Sequence, residues 1–186
     1  MIANIKNDFV MPILVLSLLC LFVSGLLAVG NRLTQPVIEN AAMLREETAR
    51  RDIIPQAEGF TPFDINGIND VLPKTITGVY TTTNNTGYIF MVTTTGYGGE
   101  IKLICGIDTN GRIIKMAVLE HTETVGLGTP VFEEKHAGQF RGRDRTDIEG
   151  IEAISGATIT STAYKNSARD ALTAYGIITS SSGGRR

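Results

Sequence analysis

The run Phe9 to Val29 contains no charged residue and is dense in Leu, Val and Ile. As a helix rising about 1.5 Å per residue it would extend ~30 Å, the thickness of a bilayer's hydrocarbon core. No soluble domain of this size has use for such a segment on its surface, so it predicts a membrane span over residues 1–30. Lys6, Asp8 and Arg32 bracket it, and Pro12 falls in its first turn, where a missing N–H costs little. Ala28 and Gly30 would suit a signal-peptide cleavage site, but the run exceeds the usual ~7 to 15 residue core of such peptides. Cys20 is preceded by Leu19, where a lipoprotein site needs a small residue. Lys6 and the amino terminus lie on one flank and Arg32 and Arg45 on the other, so charge counting does not decide the orientation.

The remaining length suits one domain, since an ordinary domain takes roughly 100 to 200 residues. With 42% hydrophobic residues the chain has apolar surface enough for a packed core. A formal charge of -2 and the lack of a Lys/Arg cluster argue against nucleic acid. Cys20 sits in the anchor and Cys105 in an apolar strand, so no disulfide framework is expected. Only His121 and His136 are available as imidazole ligands, with no C-x-x-C pair, and no metal site is expected. Redox chemistry would therefore need an organic cofactor.

Past the anchor, Thr34 to Arg51 reads as a helix within a connecting segment, 31–56. Pro36 stands near its start, and Glu46/Arg50 and Glu47/Arg51 have the favourable i,i+4 order. Residues 57–178 read as one α+β domain, an antiparallel sheet packed by helices. Ala57 to Lys74 is punctuated by Gly and Pro and reads as irregular. Four β-rich runs follow: Thr77 to Thr83, Tyr88 to Thr94, Ile101 to Ile107 and Ile113 to Glu120. Asn84-Asn85-Thr86-Gly87 and Asp108-Thr109-Asn110-Gly111 supply residues that tolerate positive φ, which predicts tight hairpins and an antiparallel meander. The nearly unbroken apolar run at Ile101, Leu103, Ile104 and Cys105 predicts a strand covered on both faces. Pro130 to Gln139 reads as a short helix and Ser161 to Tyr175 as a longer one covering the sheet. Residues 179–186 read as a disordered tail.

Chemistry concentrates in Glu152-Ala-Ile-Ser155-Gly156-Ala157-Thr158-Ile-Thr160-Ser161, just before the last helix. The segment reads as a strand-to-helix turn in which Gly156 admits close approach of a ligand and free helix-start N–H groups favour an anion such as phosphate. A Ser/Thr-rich helix start also serves as a plain N-cap, and the local pattern leaves both readings open. The same holds for His121-Thr-Glu123-Thr124-Val125-Gly126-Leu127-Gly128, either a ligand loop or a Gly-rich surface turn with Glu123 in water. Tyr97, flanked by glycines, would either stack on a ring or anchor local packing. Lys165 would face a phosphate or simply be solvated, and both histidines suit structural roles.

Ser155-Gly156-Ala157-Thr158, with an acidic residue three before the Ser and Thr160-Ser161 after it, resembles the flavinylation motif of one family of FMN-binding domains. These domains occur in the G subunit of Rnf ion-translocating ferredoxin:NAD oxidoreductases and the C subunit of Na+-translocating NADH:quinone reductases. Gly96-Tyr-Gly-Gly-Glu-Ile101 is similar to the family's Gly-rich turn, and the His121 to Gly128 loop to its H-x-E-T-P-G-L-G loop. The resemblance covers nearly the whole chain, and its size and anchor favour the Rnf G subunit.

The resemblance implies FMN joined through its phosphate to Thr158 by a separate flavin transferase, with Ser155, Gly156, Ala157, Thr160 and Ser161 around the attachment point. It implies that Glu123, Thr124, Gly126, Leu127 and Gly128 lie beside the flavin ring. It further implies an electron-transfer subunit without catalytic residues of its own. The partners would be the other membrane subunits of a complex coupling ferredoxin:NAD oxidoreduction to Na+ or H+ movement, with the FMN domain outside the cytoplasm. Glu152 stands where the family usually has Asp, and Val125 where it usually has Pro. Two competing readings are a membrane-anchored binding or assembly module without a redox role, and a stand-alone extracytoplasmic flavoprotein.

Overall fold

The computed structural model describes residues 2–65, 67, 68 and 70–183. They divide into two compact units, residues 1–44 and 45–186. Helix α1 is Ile2–Ile53, 52 residues with Pro12 and Pro36 both inside it. Pro36 thus does not open a second helix, as its position suggested. A proline removes one ladder bond without preventing helix on either side. The Thr34 hydroxyl donates to the Gly30 carbonyl at 3.0 Å in the turn before it. Every large apolar side chain from Val10 to Val29 is exposed, and α1 is long and apolar enough to cross a membrane. A surface of this kind is stable in hydrocarbon and costly in water.

The second unit is built on a five-stranded sheet of strands β1 (Phe60–Pro62), β2 (Ile76–Thr82), β3 (Gly87–Thr95), β4 (Glu100–Asp108) and β5 (Ile113–His121). Each strand pairs antiparallel with the next, giving the order β1-β2-β3-β4-β5 and the expected meander. β1 lies in the stretch that read as irregular. It is three residues long and ends at Pro62, which an edge strand tolerates because its N–H side need not pair. The hairpins form where expected. Asn85 takes φ +53 in one, with the buried Thr82 hydroxyl accepting from the amides of Thr86 (2.7 Å) and Gly87 (3.1 Å). In the other, Gly111 takes φ +77 and Asp108 Oδ1 accepts from the amides of Asn110 (2.8 Å) and Arg112 (2.9 Å).

The main core lies between one sheet face and helix α3 (Thr158–Gly183). Leu103, Cys105 and Ile107 of β4 point into it, along with Phe90, Tyr164, Ala168, Ala171 and Ile178. Ile104 points the other way, into a smaller cluster with Ile53, Ile54 and Ile89. The unbroken apolar run of β4 is therefore explained by cover on both faces. Arg50, near the end of α1, stacks its guanidinium 4.3 Å above the Tyr80 ring on that second face, and Arg51 pairs with Glu47 at 3.0 Å.

Three readings, two of helices and one of a strand, need correction. Pro130 to Gln139 is not one helix: 3-10 turns at Thr129–Phe132 and Gly138–Phe140 flank helix α2 (Glu134–Ala137). Residues 151–154 form no strand, so the motif is an extended-segment-to-helix turn. Helix α3 starts three residues before Ser161 and runs to Gly183, so residues 179–183 are helical where a disordered tail was expected. The fully buried Ile178 carries the apolar face one turn beyond Tyr175 and holds that extension; residues 184–186 lie outside the described residues.

The close seating of α1's end on the sheet is testable at Gly106, where an added Cβ would collide with the Ile53 side chain. Gly106→Ala is expected to lower unfolding stability in detergent by about 1–3 kcal/mol through overpacking. Ile53→Ala in the same background should recover part of that loss in a double-mutant cycle, whereas strictly additive losses would contradict the contact.

Candidate functional site

A carboxylate joins the two glycine-rich loops. Glu123 is only 6% exposed, and its Oε1 accepts from the Gly98 amide at 3.1 Å. A charged group taken this far from water needs hydrogen-bond partners to offset the lost hydration, and the first loop supplies one because it carries glycine where it meets Glu123. A Cβ at Gly96 or at Gly128 would collide with the Glu123 carboxylate, and one at Gly98 with the Thr122 carbonyl oxygen. Gly99 sits at φ +133, and the turn closes through Gly96 N–H to Gly99 O at 2.8 Å. Downstream, the Leu127 and Gly128 amides both donate to the Thr124 carbonyl, at 3.1 and 3.0 Å, and the Gly126 amide to the Thr129 hydroxyl at 3.0 Å. The picture of Glu123 as a charge in water is therefore overturned: it is the bolt of the loop pair.

The second component is the start of α3. Gly156 takes φ +83, which turns the chain so that the Ala157 amide reaches the Ile154 carbonyl at 3.0 Å. Ala157 is the last residue before the helix, and its carbonyl accepts from the Ser161 amide at 2.8 Å. Its methyl has no oxygen with which to cap the helix, where Ser, Thr, Asp or Asn is the usual solution. Among the described residues the amides of Thr158, Ile159 and Thr160 make no hydrogen bond within the protein. A 26-residue helix thus presents open N–H groups and the positive end of its dipole.

These two components meet in one cavity of about 440 Å³, within the range of small-molecule sites. Of the sequence candidates, Glu123, Thr124, Leu127, Gly128, Gly156, Ala157, Thr158 and Thr160 line it. Ser155, Gly126 and Ser161 do not. The Ser161 hydroxyl is 2% exposed and accepts from the Ile154 amide at 3.1 Å, so it holds the turn rather than facing the cavity. Two further lining residues are Tyr97 and Ile159, both exposed. Ile159 had a legible signal, an apolar residue between two threonines in the first turn of a helix.

Lys165 does not approach the cavity. Its Nζ donates to the carbonyls of Ile151 (2.9 Å) and Glu149 (3.4 Å), bracing the chain just ahead of the motif. Arg169 adds to that brace through Nε and Nη2 on Glu149, at 2.8 and 2.9 Å, and these bonds hold the Glu149 carboxyl below its ordinary pKa. His136 is buried with Nδ1 3.0 Å from the Val131 carbonyl, and His121 packs on Phe132. Burial pushes the Cys105 thiol far above its ordinary pKa, so it is an inert core side chain. A larger groove, about 590 Å³, runs past His136, Gln139 and Glu152 but contains neither glycine loop nor the Thr158 hydroxyl. Glu152 is exposed in that groove, so exchange of Asp for Glu there leaves the cavity wall untouched.

Residues 96–173 match the family model for the FMN-binding domain, a span that holds both glycine loops, the Thr158 segment and most of α3. The chain is similar to the G subunit of the proton-translocating ferredoxin:NAD(+) oxidoreductase complex of Clostridium ljungdahlii, 27% identical over 81% of this chain and 83% of the relative. It is similar to the G subunit of the Na(+)-translocating ferredoxin:NAD(+) oxidoreductase complex of Acetobacterium woodii, 26% identical over 80% and 83%. A third relative is the G subunit of the ion-translocating oxidoreductase complex of Methanosarcina acetivorans, 29% identical over 80% and 85%.

Removing the bolt should loosen both loops. Glu123→Ala is expected to cost about 2 kcal/mol in denaturant unfolding, because the Gly98 amide loses its acceptor and a void opens. Glu123→Gln keeps an acceptor oxygen and should cost less; equal stability of Glu123→Ala and the parent protein would contradict this role.

Proposed function

We propose that the chain is an electron-transfer subunit bearing FMN esterified to Thr158, a reading supported by the match of residues 96–173 to the FMN-binding domain and by similarity along four-fifths of its length to G subunits of ion-translocating ferredoxin:NAD(+) oxidoreductase complexes. The observation that carries the proposal is the make-up of one cavity. It combines the Thr158 hydroxyl, an open helix N-terminus suited to a phosphate, and an apolar wall of Tyr97, Leu127 and Ile159 suited to a flat ring. A module that binds only a phosphate would leave that wall unexplained.

Bound FMN supplies reversible electron acceptance and donation; the residues of the chain position it and keep it. Thr158 would hold the group through its Oγ, which would replace the second phosphoryl half of an FMN phosphoanhydride donor, that half leaving as a phosphate monoester and the hydroxyl proton passing to solvent. The amides of Thr158, Ile159 and Thr160 would hold the phosphoryl oxygens, and Gly156 would leave room for the group. A separate flavin transferase carries out this step, and the exposed Glu152 in the neighbouring groove is open to it. Once the bond exists, rebinding is intramolecular at an effective concentration on the order of mM, so a shallow, open site stays filled. Openness serves the task, because electrons must pass to another carrier.

In this reading Thr158 is an attachment point, and catalysis belongs to the assembled complex. Helix α1 holds the chain in the membrane beside the other subunits, with the FMN domain on the extracytoplasmic side as the resemblance implies. The relatives at 27% and 26% identity are named for different ions, so the proposal covers H+ or Na+.

Expression with a flavin transferase should give a band that fluoresces as flavin in a denaturing gel. The Thr158→Ala protein should run at the same abundance without fluorescence. A dark parent band in the presence of the transferase would contradict covalent attachment, and fluorescence persisting in Thr158→Ala would move it to another residue.

A further inference from the structure

The turn of residues 96–99 contains three glycines and one side chain. Each glycine is required by a contact or a conformation: Gly96 by the Glu123 carboxylate and Ile101, Gly98 by the Thr122 backbone, Gly99 by φ +133 and the Thr122 hydroxyl. With the backbone held down on residues 122 and 123, the remaining side chain, Tyr97, is left on the outer side of the turn. It is 77% exposed yet lines the cavity. Neither its ring nor its hydroxyl has a partner among the described residues, whereas Tyr88, Tyr164 and Tyr175 all make ring contacts inside the domain.

An aromatic with nothing to pack on is a poor local anchor. Held by a stiff turn, it has lost backbone freedom before any ligand arrives, which favours stacking. The geometry points to Tyr97 as the residue whose ring stacks on the isoalloxazine of the bound FMN and contributes to its electronic environment. This inference rests on FMN occupying the cavity beside Thr158. Tyr97 would be the aromatic part of the wall, with Leu127 and Ile159 supplying the aliphatic part. A tyrosine stacked on an excited flavin donates an electron to it and takes it back without emission, so the arrangement has an optical signature independent of turnover in the complex.

The test uses the full-length flavinylated protein in detergent, with intact mass confirming one FMN per chain in every sample. Flavin emission of the parent protein is expected to be strongly quenched and to rise several-fold on unfolding. Tyr97→Leu should show that rise while still folded, its circular dichroism matching the parent's, with at most a small fall in unfolding midpoint from the lost contact to FMN. In a Thr158→Ala background, Tyr97→Leu should weaken binding of free FMN about tenfold, the usual effect of losing one aromatic stack. Folded Tyr97→Leu protein carrying its FMN but emitting no more than the parent would overturn the inference. A parent chain lacking the FMN mass would instead overturn the reading of the site, and this inference with it.

Discussion

The site depends on one buried carboxylate. Glu123 lies beneath two loops that are separated by 25 positions in the chain, and it fixes their spacing by accepting the Gly98 amide and by filling the room that glycine leaves at positions 96 and 128. Buried charge is unfavourable unless its bonds are made, so this arrangement stabilises only one register of the loops. The same register puts Tyr97, Thr124 and Leu127 around the start of α3, where the amides of the first turn stand open. Loosening it would leave the phosphate end of the cavity intact and dissolve the ring end.

Much of the frame was legible because its signals are local. The β-rich composition of the runs, the Asn85 and Gly111 turns and the apolar continuity of β4 each act within a few residues, and the four strands appear within a residue or so of their expected ends. What was hidden depends on distant partners. The sequence left Glu123 open between a ligand loop and a solvated turn, and only the structure shows Gly96 and Gly98 packed against it. Ser161 looked like a ligand-facing hydroxyl but turns back to the Ile154 amide. Helix α3 outran its expected end because Ile178 finds the core, which the polar composition of the tail conceals. Tyr97 became a wall residue only once the glycines beside it were seen to be pinned. At α1, the proline that punctuates the sequence does not break the helix.

A cavity so open holds a freely exchanging ligand weakly, because part of the ligand stays in water and little apolar area is removed. Covalent attachment, as proposed, would remove the need for tight binding and let the domain leave the ring edge accessible to a partner. The open N-terminus of α3 is part of the same solution. With Ala157 at the cap position the helix lacks its own oxygen; a phosphate held there, as proposed, would supply one.

That central claim is tested most directly by tandem mass spectrometry of the tryptic peptide from Thr146 to Lys165, cut from protein isolated from its native membrane. Besides Thr158, the peptide contains the neighbouring hydroxyls of Ser155, Thr160, Ser161 and Thr162. Fragment ions are predicted to place one FMN phosphate on Thr158 alone. Placement on any other hydroxyl, or recovery of the peptide only in its bare form, would contradict it.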